Sequence, residues 1–374
     1  MKEMSLKKDN VKGLCIEACN QWETYVPLEA MGQDVQFVKI NGKDKGFSLD
    51  KLNLDYQSLV IGPKVIGFPQ LESLFEFRGG KLTETVQPPR KKLLFGLRAC
   101  DLKGILFMDK FFKRNFEDIY YLNRATDRLL VLVGCKRPPR DCFCTSAKTG
   151  PFLPLAGSFD KPAESDFDLQ MVDIGDVYVV EIGSKKAEEF VNTYSKFFDQ
   201  ASEEMVTQSK AAKCAAEQAV RLKVNFDKAI KNFCEDKVPE EIYERIAQRC
   251  IYCGGCLYVC PTCTCFNVFD ETVGWASAHQ IQEEIPALSG ESKSCGGRRC
   301  RNWDACVFEG YTREASGHNP RHEKWIRTSR RYEHKLKYDY LTTGRSGCVG
   351  CGRCLSSCPV NIGISQVIEE VSKI

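Results

Sequence analysis

Cysteine is the residue type in this sequence that is both abundant and regularly spaced. The chain of 374 residues contains 21 cysteines, 8 before residue 250 and 13 from residue 250 onward. Thiolates bind zinc and iron–sulfur clusters, and thiols can also pair as disulfides. Two runs of four cysteines are offset by 98 residues, and each run is followed by proline: Cys250, Cys253, Cys256 and Cys260, and then Cys348, Cys351, Cys354 and Cys358.

Both runs have the spacing C-x2-C-x2-C-x3-C-P, in which the fourth cysteine ligates the cluster of the other run. Zinc sites usually combine shorter C-x2-4-C pairs, and disulfide frameworks are typical of short secreted chains, so iron–sulfur is favoured over both. A structural zinc scaffold stays open as an alternative. The spacing predicts two [4Fe–4S] clusters, the first on Cys250, Cys253, Cys256 and Cys358, the second on Cys348, Cys351, Cys354 and Cys260.

Four further cysteines follow two apolar segments of strand length. Cys100 comes after residues 93–97 and Cys135 after residues 129–133, while Cys142 and Cys144 lie in the next loop. If the two strands are parallel, both carboxyl ends lie at the edge of the sheet where α/β proteins bind ligands. These four thiols are therefore candidates for a third [4Fe–4S] cluster, with zinc or structural thiols as the alternatives. Four isolated cysteines are interpreted as structural: Cys15, Cys19, Cys214 and Cys234.

The elements that must position these thiols predict an α+β protein. A mixed α/β domain is expected over residues 1–200, a helical linker over 201–248 and a bacterial-type two-cluster ferredoxin domain over 249–374. An insertion of about residues 266–345 separates the two cysteine runs. Apolar runs predict strands at 58–61, 93–97, 129–133, Val35–Ile40 and Val177–Ile182, and Asp101 is a candidate N-cap of the helix after the second of these.

Composition excludes several function classes. The formal net charge is only +3, so a nucleic-acid-coating protein is not expected. Residues 291–340 carry 12 Lys and Arg against 7 Asp and Glu, which we interpret as counter-charge for clusters or as a docking surface for an acidic partner. No apolar run is long enough for a membrane span, and no secretory signal begins the sequence, so a cytoplasmic location is expected.

Nucleotide-binding motifs are missing from the sequence. There is no P-loop, and no G-x-G-x-x-G follows a predicted strand. We identify no catalytic centre, so flavin and nicotinamide are expected on a partner chain. A self-contained redox enzyme, with substrate chemistry at the N-terminal thiol site, stays open as an alternative.

An ordered series of motifs resembles a known family. Residues 95–101 (FGLRACD), residues 142–145 (CFCT), residues 260–266 (CPTCTCF), residues 303–306 (WDAC) and residues 317–319 (GHN) resemble the A-type iron–sulfur component of anaerobic sulfite reductases and the β subunits of sulfhydrogenases. The resemblance runs from about residue 55 to the C-terminus. It implies an electron-transfer subunit that works between one subunit that binds flavin and NAD(P)H and another that is catalytic or a second carrier, in sulfite reductase, hydrogenase or heterodisulfide reductase complexes.

Five cysteines lie between the two runs and have no assigned cluster. Cys295 and Cys300 are not part of the family pattern, and their spacing to Cys306 makes an additional metal site a candidate. The alternative is that these thiols bind nothing. His318 and His334 lie in family-like segments and are candidates to tune a cluster through hydrogen bonds. The candidates for the additional site are Cys263, Cys265, Cys295, Cys300 and Cys306.

Overall fold

The computed structural model describes residues 3–30, 34–41, 49–78, 81–156, 165–273 and 296–374. Its strands are β1 (Met4–Lys7), β2 (Glu23–Glu29), β3 (Val35–Ile40), β4 (Leu71–Arg78), β5 (Lys81–Glu84), β6 (Lys92–Leu97), β7 (Arg128–Val133), β8 (Leu169–Asp173), β9 (Val177–Ile182), β10 (Phe198–Gln200), β11 (Phe266–Val273) and β12 (Gly296–Trp303). Its helices are α1 (Asn10–Ala18), α2 (Ala99–Phe111), α3 (Ile119–Ala125), α4 (Lys185–Thr193), α5 (Glu203–Ala219), α6 (Phe226–Cys234), α7 (Glu240–Arg249), α8 (Gly255–Tyr258), α9 (Lys324–Glu333), α10 (Asp339–Thr343), α11 (Arg353–Ser356) and α12 (Ile364–Val371).

The strands form two sheets. Eight of them make a mixed sheet in the order β10-β1-β9-β8-β7-β6-β2-β3, and the others make a sheet in the order β11-β12-β4-β5. Strands β2, β6, β7 and β8 are parallel neighbours at the centre of the large sheet. Every residue of β6 is buried, and so are five of the six in β7. Continuous apolar runs of this kind are expected for parallel strands that are covered on both faces.

The parallel pairing of β6 and β7 places their carboxyl ends at one edge of the sheet. Helix α2 begins directly after β6, and the chain returns through α3 to β7. The register of the pair shifts at Gly96, which has a φ of 92°. A Cβ on Gly96 would lie 2.7 Å from a side-chain carbon of Leu54, so only glycine fits this bulge. Bulges of this type occur beside functional sites, and this one lies four residues before Cys100.

Two local predictions are wrong. Residues 58–61 form irregular coil rather than a strand, because Gly62 and Pro63 follow and lead into a short 3-10 turn over Pro63–Ile66. Their apolar character reflects packing, since Leu59 is buried against the edge of the sheet. Asp101 is not an N-cap, because Arg98 occupies that position without a side-chain cap. The Asp101 carboxylate in the first turn of α2 has a different partner, described below.

Residues 203–249 form three helices that pack onto the rest of the molecule. Helix α5 lies against β8 and β9, α6 packs against α12, and α7 packs against α9. Helix α6 opens with a side-chain cap, in which Asn225 accepts a hydrogen bond from the amide of Lys228. Apolar residues of α6 and α7 join one buried cluster with α9 and α12, and Cys348 of the second cysteine run belongs to the same cluster.

The segment between the two cysteine runs is built into the N-terminal part of the fold. Strand β12 pairs antiparallel with both β11 and β4, which joins residues far apart in sequence into one sheet. Buried Arg301 of β12 strengthens this junction, because its Nε donates to Glu72 of β4 at 2.8 Å and its guanidinium also binds Asp118 before α3. Helix α9 then continues through one π-helical turn, His334–Tyr338, into α10 and returns the chain to Cys348.

Candidate metal centres

The first predicted set of thiols surrounds a single cavity. Cys250 ends α7, Cys253 and Cys256 lie on the loop that opens α8, and Cys358 comes from the second run. All four line one cavity together with Arg331 of α9. The fourth cysteine therefore comes from the other run, in the crossed arrangement that the spacing predicts.

The second predicted set also lines one cavity. Cys348, Cys351 and Cys354 approach it from the second run, and Cys260 approaches it from the first. Arg331 lines this cavity as well, so its side chain lies in the wall between the two cavities.

The two cysteine loops share a backbone geometry that leaves room for a group among the thiols. Gly254 and Gly352 occupy equivalent positions with φ values of 72° and 76°, and each is the N-cap of a four-residue helix. This left-handed conformation is favoured by glycine. In the first loop the amide of Tyr252 lies 3.4 Å from the Cys250 sulfur. Amide-to-sulfur hydrogen bonds of this kind are among the features that set cluster potentials.

Burial and buried cations act in opposite directions on these thiols. Burial raises the pKa of Cys256 to about 11 and that of Cys348 to about 12. For Cys260, burial is outweighed by Lys335, the Thr262 hydroxyl and Lys64, which together hold the pKa of this thiol below its usual value. The Lys335 ammonium is buried and donates to Thr262 Oγ1 and to the Gly347 carbonyl, both at 3.1 Å. At Cys260, the thiolate form that ligation needs is thus favoured by cations that the fold has already buried.

The N-terminal set of thiols also comes together. Cys100 lies in the first turn of α2 after β6, Cys135 follows β7, and Cys142 and Cys144 lie in the succeeding loop. Cys142 and Cys144 share a side-chain hydrogen bond, which lowers the pKa of Cys142 and is the main cause of the raised pKa of Cys144. Burial raises the pKa of Cys144 further, and so do the charges of Cys100 and Cys135. Burial is the main cause of the raised pKa of Cys100. Four thiols from three segments therefore lie within electrostatic range of one another.

The N-terminal thiol loop is packed directly on the second cysteine run. The Phe143 amide donates to the Gly350 carbonyl at 2.8 Å, and Thr149 Oγ1 donates to the Val349 carbonyl at 2.6 Å. A Cβ on Gly350 would lie 2.9 Å from the Cys144 Cα, so the two loops are in backbone contact.

A buried ion pair joins the same two sites. Arg353, inside the second run, binds Asp101 of α2 through two hydrogen bonds of 2.6 and 2.7 Å. Both side chains are buried. This pair is not predicted by any of the sequence motifs. A pointer was available, since Arg353 occupies the position at which the first run has Gly255.

The candidates for an additional site divide into two groups. Cys265 forms side-chain hydrogen bonds with both Cys263 and Cys306, and the Tyr311 hydroxyl also bonds to Cys265. Cys300 faces a different environment, because it lies in β12 opposite Phe269 of β11. Phe269 lies four residues after Cys265, which corresponds to roughly 13 Å along an extended chain. Cys295 lies outside the described residues.

The remaining cysteine and histidine candidates differ in how deeply they are buried. Cys15 is in the apolar core of the large sheet, and Cys214 is exposed on α5. His318 lies in an exposed turn, whereas burial, reinforced by the charge of Lys335, lowers the pKa of His334 to about 4. Among the described residues, no three Cys, His, Asp or Glu side chains converge on a point that a single metal ion would occupy, and no disulfide joins two cysteines.

Comparisons with known proteins agree with this arrangement. A family model described as a 4Fe-4S dicluster domain matches residues 249–362, which include both cysteine runs. Sulfhydrogenase 2 subunit beta of Pyrococcus furiosus is 30% identical over 324 residues, which is 87% of this chain and 86% of that protein. No helix in the described residues has the length and apolar character needed to cross a membrane. The mixed α/β fold with a C-terminal 4Fe-4S domain and an iron–sulfur electron-transfer role are thereby confirmed, and the chain belongs to the family of iron–sulfur subunits that includes the sulfhydrogenase β subunits.

Proposed function

We propose that this chain is the electron-relaying subunit of a multi-subunit oxidoreductase, and that it carries three [4Fe–4S] clusters. The relative is named as a β subunit of a sulfhydrogenase, so we propose a hydrogenase-type complex as the first candidate. In it, electrons would pass between one subunit that binds flavin and NAD(P)H and another that is catalytic or a second carrier. When bound, [4Fe–4S] clusters supply one-electron transfer at potentials that the protein environment sets.

The proposed ligands are the three sets of four thiols. The first site would be held by Cys250, Cys253, Cys256 and Cys358, the second by Cys260, Cys348, Cys351 and Cys354, and the third by Cys100, Cys135, Cys142 and Cys144. The donor chemistry fits, because each set contains four cysteines, the usual number for this cluster type. Buried cations beside Cys260 favour the thiolate form that ligation needs.

The observation that carries the proposal is that the three sites are contiguous. The first and second cavities share the side chain of Arg331 as a wall. The second is in backbone contact with the loop of Cys142 and Cys144 through Gly350. Contiguous sites support a relay, because electrons would then pass between neighbouring centres within one chain.

The ends of this series differ in exposure, which suggests where partners dock. Cys253 is exposed at the first site, and the adjoining Ile251 has 59% of its surface exposed. At the second site, Cys348 is buried and the other three cysteines are partly buried. We therefore propose that the first site faces one redox partner and that the N-terminal site, with partly exposed Cys135, faces the other.

Anaerobic purification of the whole complex tests the proposal. We expect about 12 iron and 12 sulfide per chain, since each [4Fe–4S] cluster holds four of each, and co-purifying subunits that bind flavin and a catalytic metal. Cys135→Ser should lower the iron by up to about four per chain while the signals of the two ferredoxin-type sites persist. Cys214→Ser is the matched control, because Cys214 is exposed on α5 and should leave the iron content unchanged. A colourless protein that contains zinc would contradict the proposal altogether, and unchanged iron in Cys135→Ser would contradict the third cluster.

A further inference from the structure

Within the described part of the chain, Arg331 is buried between the two ferredoxin-type sites without a carboxylate partner. It lies in the last turn of α9, is 5% exposed and lines both cavities. Its Nε has no hydrogen-bond partner among the described residues. Burial opposes its charge, whereas Cys256, Tyr332, Cys354 and Cys260 favour it, and the pKa of Arg331 lies well above its usual value. The sulfurs concerned belong to both cavities.

Other buried arginines of this protein are compensated in the ordinary way. Arg353 binds Asp101, and Arg301 binds Glu72 and Asp118. Arg327, one turn before Arg331 on the same helix, donates to three backbone carbonyls. An uncompensated buried charge is expensive, so it is retained where an anion faces it. For Arg331, the anions available are the ligand sets of the two cavities.

We infer that Arg331 is a shared counter-cation of both ferredoxin-type clusters and that it raises the reduction potentials of the pair. This inference rests on the ligand sets proposed above. Reduction adds one electron to each cluster, from [4Fe–4S]²⁺ to [4Fe–4S]⁺, with no bond made and no proton moved. The electron comes from the redox partner, or from dithionite in a titration. A fixed positive charge next to both sites favours the more negative state, because the attraction is only weakly screened in a buried environment.

Arg331 thus acts through its charge on both clusters, and its expected effect on the two reduction potentials differs from that of neighbouring cations. Lys335 lines the second cavity but not the first, so its removal should lower the second potential more than the first. Arg327 lines neither cavity, and its guanidinium donates hydrogen bonds to the carbonyls of Val307, Arg321 and His322. It is therefore the matched control for loss of one buried arginine from the same helix.

The test is an anaerobic potentiometric titration of the full-length chain, followed by electron paramagnetic resonance, with iron and sulfide determined on each sample. In Arg331→Gln, we expect the equilibrium constant for reduction of both clusters to fall about tenfold, which is about 59 mV per one-electron couple. Arg331→Lys, which keeps the charge, should restore most of this shift. Arg327→Gln should leave both potentials close to those of the unaltered chain.

Unchanged potentials in a fully loaded Arg331→Gln protein overturn the inference, and so does a shift of equal size in Arg327→Gln. Should Arg331→Gln lose iron from both sites, retention of iron in Arg331→Lys supports the shared cation, whereas loss in both variants overturns it. Fewer than about eight iron atoms in the unaltered chain would instead refute the proposed ligand sets, so the two failures are distinguishable.

Discussion

Replacing Asp101 with asparagine is expected to destabilise this protein by about 3 kcal/mol. The Asp101 carboxylate is 1% exposed and receives two hydrogen bonds, of 2.6 and 2.7 Å, from Arg353, which is 4% exposed. Hydrogen bonds to charged groups contribute roughly 1.5–3 kcal/mol each, and removal of one partner from a buried ion pair costs roughly 3–5 kcal/mol. We expect the lower end, because the thiolates of Cys351 and Cys100 also act on Arg353.

The pair is closely enclosed, which limits relaxation in the variant. Arg353 Nε lies 3.2 Å from Ser58 Oγ. A Cβ on Gly62 would lie 2.7 Å from Asp101 and 2.9 Å from Arg353, so the backbone of Gly62 covers both side chains. Water therefore has little room to replace the lost carboxylate oxygen. The double variant Asp101→Leu with Arg353→Met should recover much of the loss, since apolar replacement of a whole buried pair is often neutral.

The assay is guanidinium unfolding under anaerobic conditions, followed by circular dichroism and by the visible absorbance of the clusters. Asp270→Asn is the matched control, because Asp270 accepts two hydrogen bonds from Arg299 at 2.7 and 2.8 Å in a comparable geometry. This second pair is exposed, and exposed pairs add little to stability. An Asp101→Asn midpoint equal to that of Asp270→Asn would refute the reasoning, as would a double variant that is less stable than Asp101→Asn.

Two further predictions concern the contact between the N-terminal and second sites and the metal content of the additional site. Gly350→Ala should slow electron transfer between the N-terminal and second sites and destabilise the protein by about 1–3 kcal/mol, because Gly350 has a φ of 62° and its new Cβ would lie 2.8 Å from the Phe143 carbonyl oxygen. Rapid-mixing kinetics would measure the rate of reduction, and unfolding midpoints would measure the stability. Reduction at the wild-type rate would contradict this prediction. For the additional site, the position of Cys300 opposite Phe269 leads us to expect that Cys306→Ser lowers the metal content of the purified protein and that Cys300→Ser leaves it unchanged. Equal metal content in both variants, measured by elemental analysis, would contradict this.

The two cysteine runs and the strands before Cys100 and Cys135 could be predicted from the sequence, because each is encoded by residues that lie close together in the chain. The spacing of the two cysteine runs alone indicates iron–sulfur ligation, since three thiolates at intervals of three residues require a tight loop. Strands β6 and β7 are continuous apolar runs, and the sequence places Cys100 and Cys135 directly behind them. The three ligand sets and the extra site stay predictions, because thiol spacing alone does not fix which distant segments meet.

The features that the sequence did not determine depend on long-range packing. Nothing in residues 266–303 indicates that β12 would pair with β4, because strand pairing depends on which exposed edge is available in three dimensions. The positive charge of residues 291–340 is visible in the composition, but composition does not distinguish a solvated arginine from a buried one. Only the tertiary structure places Arg331 between two cavities, and that burial, by removing the screening of water, is what gives its charge an effect on both sites.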